Sequence, residues 1–184
     1  PMQAWPSQHS QDSKRLLNGA TLPPYQAPET DLKQALDNIF YHPNVGPFIC
    51  QRLLQRLVTS NPSRGQVQRC ATAFNDNGLG ERGNLRAVIR AILLDAEARD
   101  LALAAVPGAG KQREPVIRFA NYLRAFGARA ASGRNAIHYL DAADSGLGQS
   151  PLLAPSVFNF FSPFFRPMGP VGDAGLVAPE FHIT

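Results

Sequence analysis

The apolar positions of this chain recur with a helical period from Thr30 to Phe126. Leu32, Ala35, Leu36, Ile39 and Phe40 fall at i, i+3, i+4, i+7 and i+8, one stripe along a first helix. Thr30 or Asp31 is expected to cap its start with a side-chain oxygen. His42, followed by Pro43, is expected to close its end, where a cationic imidazole is favoured. A second helix is expected from about Asn44, with Pro47 tolerated in its first turn. In it the apolar pairs Ile49–Cys50, Leu53–Leu54 and Leu57–Val58 alternate with the polar pairs Gln51–Arg52 and Gln55–Arg56, which predicts one broad buried face and one wet face. The turn TSNPS (59–63) separates it from a third helix opened by Ser63, with Val67, Cys70, Ala71 and Phe74 on one face. Asn84 is expected to cap a fourth helix carrying Leu85, Val88, Ile89, Ile92 and Leu93. A fifth starts at Glu114–Pro115, turns Val116, Phe119, Ala120, Leu123 and Phe126 inward, and stops at Gly127.

Outside this region the periodicity fades. Residues 1–29 hold five prolines and suggest an extended arm with one helical turn near Ser13–Leu17. A short helix is expected over Ala136–Ala143 and a single turn over Pro155–Phe160. No segment alternates at period two for long enough to read as a strand. The expected fold class is therefore all-α: an irregular bundle of four to five amphipathic helices. The expected organisation is an extended N-terminal arm (1–29), a helical core (30–144) and an irregular Pro/Gly/Phe-rich tail (145–184) packing on that core. Within the tail, Phe158, Phe160, Phe161, Phe164 and Phe165 crowd into eight residues among prolines. Burying each ring is worth about 1.5–3 kcal/mol, and proline forbids one continuous helix or central strand. The run is expected to form an aromatic strap that plugs gaps between helices, with some rings facing other surfaces.

Composition adds limits. The chain has 184 residues, of which 44% are hydrophobic, enough for one sizeable core. No run approaches the ~18 apolar residues of a membrane span. The N-terminus lacks the basic-then-apolar order of a secretory signal, and a chain that starts on proline looks cut from a precursor. The net charge is +4, and arginine supplies 15 of the 18 basic residues. Because the arginines are scattered rather than clustered, nucleic-acid binding through arginine-rich helix faces is only an alternative reading.

Candidate chemistry is sparse. Cys50 and Cys70 flank the 59–63 turn at similar height on apolar helix faces. Two readings stand: a disulfide stapling two helices, which the geometry permits, or two buried thiols packing as small hydrophobes. His9, Asp12 and Lys14 form the most polar small cluster, on an arm able to fold over a cleft or to remain solvated. The histidines His9, His42, His138 and His182 include no H-x-x-x-H pair, so no helical metal site and no cofactor are expected. A Ser145–His138–Asp141 or Asp144 set lacks a G-x-S-x-G elbow. The loop NDNGLGERGN (75–84) puts Leu79 and Arg86 where a calcium loop needs oxygen ligands, so Gly78, Gly80 and Gly83 are expected to serve backbone angles instead. Arg52 with Arg56, and Arg86 with Arg90, are expected to find carboxylates among Glu81, Asp95, Glu97 and Glu114.

Four phrases together carry a family likeness: LDNIFYHPNVGPFICQRLLQRLV (36–58), FNDNGLGERGNLRAVIRAILLDAEAR (74–99), REPVIRFANYLRAFG (113–127) and the ending SPFFRPMGP…LVAPEFHIT. With QHSQDSKRLLNG (8–19), they resemble the bacterial proteins grouped as domain of unknown function family 1800. The resemblance implies that this chain corresponds to the C-terminal portion of a longer protein, clipped at both ends and exported to the periplasm or cell surface. It implies no reaction. The leading expectation is a non-catalytic helical module that packs on its own N-terminal region or on a protein partner. The alternative is part of a hydrolase of envelope or extracellular polymers, its site completed by further segments.

Overall fold

Helices built on the 3.6-residue stripes dominate the computed structural model, which describes residues 3–134, 137, 140–142 and 145–183. They are α1 (Pro28–Phe40), α2 (Val45–Leu57), α3 (Arg64–Asn75), α4 (Leu85–Leu94), α5 (Ala96–Arg99), α6 (Pro115–Ala125) and α7 (Pro170–Asp173). The sole sheet among the described residues pairs two two-residue strands, β1 (Lys14–Arg15) and β2 (Thr21–Leu22), in antiparallel register. The protein is all-α. It divides into two compact units, Pro1–Ile49 and Cys50–Thr184, with the division falling inside α2.

In the first unit the arm differs from expectation. The helical turn expected at Ser13–Leu17 is instead β1 and the start of a tight return to β2. Asn18 and Gly19 both adopt positive φ, 58° and 75°, a pairing that suits two-stranded turns. Helix α1 begins earlier than its capping signal suggested. Ala27 occupies the cap position, and Pro28, which has no N–H to satisfy, opens the first turn. Neither Thr30 nor Asp31 caps it; Asp31 is buried and committed elsewhere. At the other end His42 Nδ1 accepts from Asn44 N at 3.2 Å. The apolar stripe of α1 stays open: Leu32, Leu36 and Ile39 are 61%, 56% and 51% exposed.

The second unit holds the larger core. Cys50 and Leu54 of α2, Cys70, Ala71 and Phe74 of α3, and Val88 and Ile92 of α4 are buried together with Phe161 and Ala178 from the tail. Helices α3 and α4 start where Ser63 and Asn84 cap them, each side-chain oxygen accepting from the backbone N–H three residues on. α4 uses only the Val88–Ile92 edge of its stripe for packing; Leu85, Ile89 and Leu93 face outward. α2 also departs from its pattern. Gln55, on the side expected to be wet, is buried, because its amide donates to the carbonyls of Ser60 and Pro163. Leu57 is exposed in turn.

The tail packs on these helices without the helical turn expected at Pro155–Phe160, where Ser156 and Asn159 form an isolated bridge. Its last part folds tightly: a Cβ on Gly172 would lie 2.0 Å from the Pro167 carbonyl oxygen, so only glycine fits there. The helix expected over Ala136–Ala143 falls largely outside the described residues.

Candidate functional site

The first unit gathers a polar cluster around Asp31, in the first turns of α1. Asp31 is 5% exposed. Oδ1 accepts from Gln26 Nε2 at 2.9 Å. Oδ2 lies 3.0 Å from His9 Nε2 and 2.8 Å from Lys14 Nζ. Lys14 Nζ also donates to the carbonyls of Ser10 and Asp12, at 2.7 and 3.0 Å. The structure thus brings His9 and Lys14 together, as the arm's composition suggested. Asp12 contributes only its backbone, and Asp31, read from the sequence as a helix cap, is the carboxylate they share. The cluster is an ionic clasp between arm and helix, with the lysine's donors spent on three oxygens.

The second unit contains a larger buried knot that sequence reading missed. Glu114, Gln149 and Glu180 are 5%, 0% and 1% exposed. Lys111 Nζ sits 2.8 Å from Glu180 Oε1, and Ser60 Oγ donates to Glu180 Oε2 at 3.3 Å. Glu114 accepts from Arg56 Nη1 (3.3 Å), Gln149 Nε2 (3.1 Å) and Asn159 Nδ2 (3.1 Å). Arg56 reaches on to the Phe158 carbonyl at 2.5 Å. Gln149 also accepts from Val116 N, capping α6 from 33 residues away. Asn61 exchanges two hydrogen bonds with the Val177 backbone. The oxygens of both glutamates are matched by donors, so the knot fastens the tail.

The aromatic run divides. Phe161 is 3% exposed, lying under the Arg56 guanidinium at 4.7 Å. Phe160 and Phe165 are half-buried, and Phe165 stacks on His182. Phe158 and Phe164 are exposed, Phe164 beneath Arg52. Burial lowers the pKa of the Arg52 guanidinium, with neighbouring Arg56 adding to the effect.

Cys50 and Cys70 are joined in a disulfide between α2 and α3. In the 75–84 loop, Asp76 and Asn77 turn their Oδ1 atoms onto backbone N–H groups of residues 78–81. Gly78, Gly80 and Gly83 all take positive φ. Arg69 pairs with Asp95 and Glu97. His138 and Asp144 lie outside the described residues. Among those described, no group of histidine, cysteine and carboxylate side chains is placed to hold a metal, and no helix is long and apolar enough to cross a membrane.

Residues 2–179 match the family described as protein of unknown function, DUF1800. The chain belongs to that family. No match is found among curated proteins, nor among solved structures. Membership in DUF1800 brings no activity with it, so the reading of this DUF1800 chain rests on its own geometry. One signal for the missed knot was present in the DUF1800 sequence: Glu114 and Glu180 each stand in a strongly apolar or proline-rich setting, Glu114-Pro115-Val116-Ile117 and Ala178-Pro179-Glu180-Phe181, where a lone carboxylate needs a partner.

Proposed function

We propose that this chain is a non-catalytic helical module that docks through the apolar face of α1 onto a further segment of a longer polypeptide. The observation that carries this reading is the open stripe of Leu32, Leu36 and Ile39 on a helix patterned for burial. Beside it runs a groove of about 530 Å³, lined by Arg15, Leu16, Leu17, Ala35, Asn38 and Ile39. A contiguous apolar face of this kind marks an interaction surface. The choice of occupant rests on the resemblance to proteins considerably longer than this chain. The reading includes export to an oxidising compartment, which the Cys50–Cys70 bridge supports because such bridges persist where thiols are not kept reduced. The hydrolase and nucleic-acid alternatives gain no observation from the described residues.

Leu36→Glu tests it. A docking face leaves the stability of this chain within about 0.5 kcal/mol of the parent in denaturant melts. In the same variant, sedimentation with the remainder of the native polypeptide should show association lost. Destabilisation of about 2–5 kcal/mol would instead mark Leu36 as part of this chain's own core. If association with the polypeptide's remainder is unaffected while a separate co-purifying protein is lost, the occupant is that protein.

A further inference from the structure

Two parallel rows of side chains make up the outward face of α4. One row is Leu85, Ile89 and Leu93; the next is Arg86, Arg90 and Leu94. Val88 and Ile92, on the inner side, are buried. The four apolar side chains of the two rows are 41–54% exposed, and both arginines are exposed with them. The helix carries no carboxylate of its own.

The arginines are the informative feature. The sequence predicts carboxylates for them among Glu81, Asp95, Glu97 and Glu114, and the fold commits all four elsewhere. Glu81 Oε2 accepts from Asn77 Nδ2 at 2.8 Å and from Asn84 Nδ2 at 3.1 Å. Asp95 and Glu97 both pair with Arg69. Glu114 pairs with Arg56 and accepts from Gln149 and Asn159. Among the described residues, neither the Arg86 nor the Arg90 guanidinium meets a carboxylate, a hydrogen-bond acceptor or an aromatic ring. Like charges one turn apart repel unless an anion lies opposite.

The placement of the charges selects the occupant. A helix lying in a lipid surface keeps its cations on the polar face. Here successive residues turn by about 100°, which sets Arg86 and Arg90 between Leu93 and Leu94 around the helix, inside the apolar face. Pairing α4 with α4 of a second copy would set arginine against arginine. Nor does α1 of a second copy supply the missing acids: Asp31 is buried under His9 and Lys14, and Asp37 is paired with Lys33. Arginine matches carboxylates bidentately, and rows with four-residue spacing pack into the grooves of another helix.

We propose that this face of α4 docks an amphipathic helix of a separate partner protein. Apolar residues of that helix cover Leu85, Ile89 and Leu93, and two of its carboxylates, one turn apart, pair with Arg86 and Arg90. The site is independent of the open stripe on α1. The test uses a stapled synthetic helix with leucine at every fourth position and a glutamate after each leucine, and a twin with glutamine for glutamate. Binding to the whole chain is read by fluorescence anisotropy. The glutamate peptide should bind about tenfold more tightly than its twin at low salt. Arg86→Gln combined with Arg90→Gln should erase that preference and melt like the parent, since neither side chain has a partner to lose. Ile89→Ser should abolish binding of both peptides. Equal affinity for the two peptides, or a preference that survives in the arginine variant, overturns the proposal. So does sedimentation of the parent, but not of the arginine variant, with phosphatidylglycerol vesicles, which assigns the face to a membrane. Dimerisation abolished by Ile89→Ser overturns it in favour of a second copy. Peptide binding blocked by the remainder of the native polypeptide overturns it in favour of that remainder. Should Ile89→Ser fail to fold, the two peptides against parent and arginine variant decide alone.

Discussion

Glu180 is almost wholly withdrawn from water, and only Lys111 and Ser60 make that tolerable. Deleting one member of such a pair strands the other charge. Glu180→Ala is expected to cost about 3–5 kcal/mol in denaturant melts. The double change Lys111→Met with Glu180→Leu should recover most of that loss. Asp95 behaves differently, being tied to a half-exposed arginine. Hydrogen bonds from Arg69 hold its carboxyl below the ordinary 3.8, with the Glu97 backbone N–H assisting and burial opposing. A depressed carboxyl stabilises the fold above its unfolded pKa and loses that contribution as pH falls through the folded value. Arg69→Met should therefore be less stable than the parent near pH 6, and the difference should close as pH drops below 3.8. At this scale the sequence was partly legible. His9 and Lys14 stood out as polar outliers in an arm, but their carboxylate is 22 and 17 residues further on, at Asp31, and no local spacing names it.

The disulfide joins α2 to α3 across 20 residues. Closing a loop of that size stabilises the folded chain by about 3 kcal/mol, chiefly by restricting the unfolded one. Replacing both cysteines with alanine should lower stability by about that amount, with little change in helix content by circular dichroism. Reduction of the parent should reproduce the loss. Among the elements, α2, α3, α4 and α6 were legible because each carries its own stripe and, for α3 and α4, its own cap in Ser63 and Asn84. Three features were not read. The β1–β2 return was signalled only by Asn18-Gly19, between strands too short to alternate. The start of α1 was set by Pro28, not by the acidic residue three positions later. The cap of α6 comes from Gln149, far along the chain.

For the whole molecule, the question is where the apolar faces go. Six of the ten stripe positions on α1 and α4 are side chains that this chain leaves open: Leu32, Leu36 and Ile39 on one, Leu85, Ile89 and Leu93 on the other. The first unit, at 49 residues, is too small to bury such a face by itself, which is why the docking test with Leu36→Glu belongs to this scale. The tail shows the same limit on local reasoning. Five phenylalanines suggested an apolar seal, yet only Phe161 is fully covered, and the fastening is done by Arg56, Glu114, Gln149, Asn159 and Glu180. By itself the sequence determined the all-α class, the bodies of the main helices, the caps Ser63 and Asn84, and the glycines that turn the 75–84 loop. Each of these is fixed by interactions within a few residues. Tertiary structure alone decided which edge of each stripe is covered, which carboxylate His9 and Lys14 share, and how the tail is tied. Those outcomes depend on contacts between residues up to 120 apart, and no periodicity encodes such a pairing.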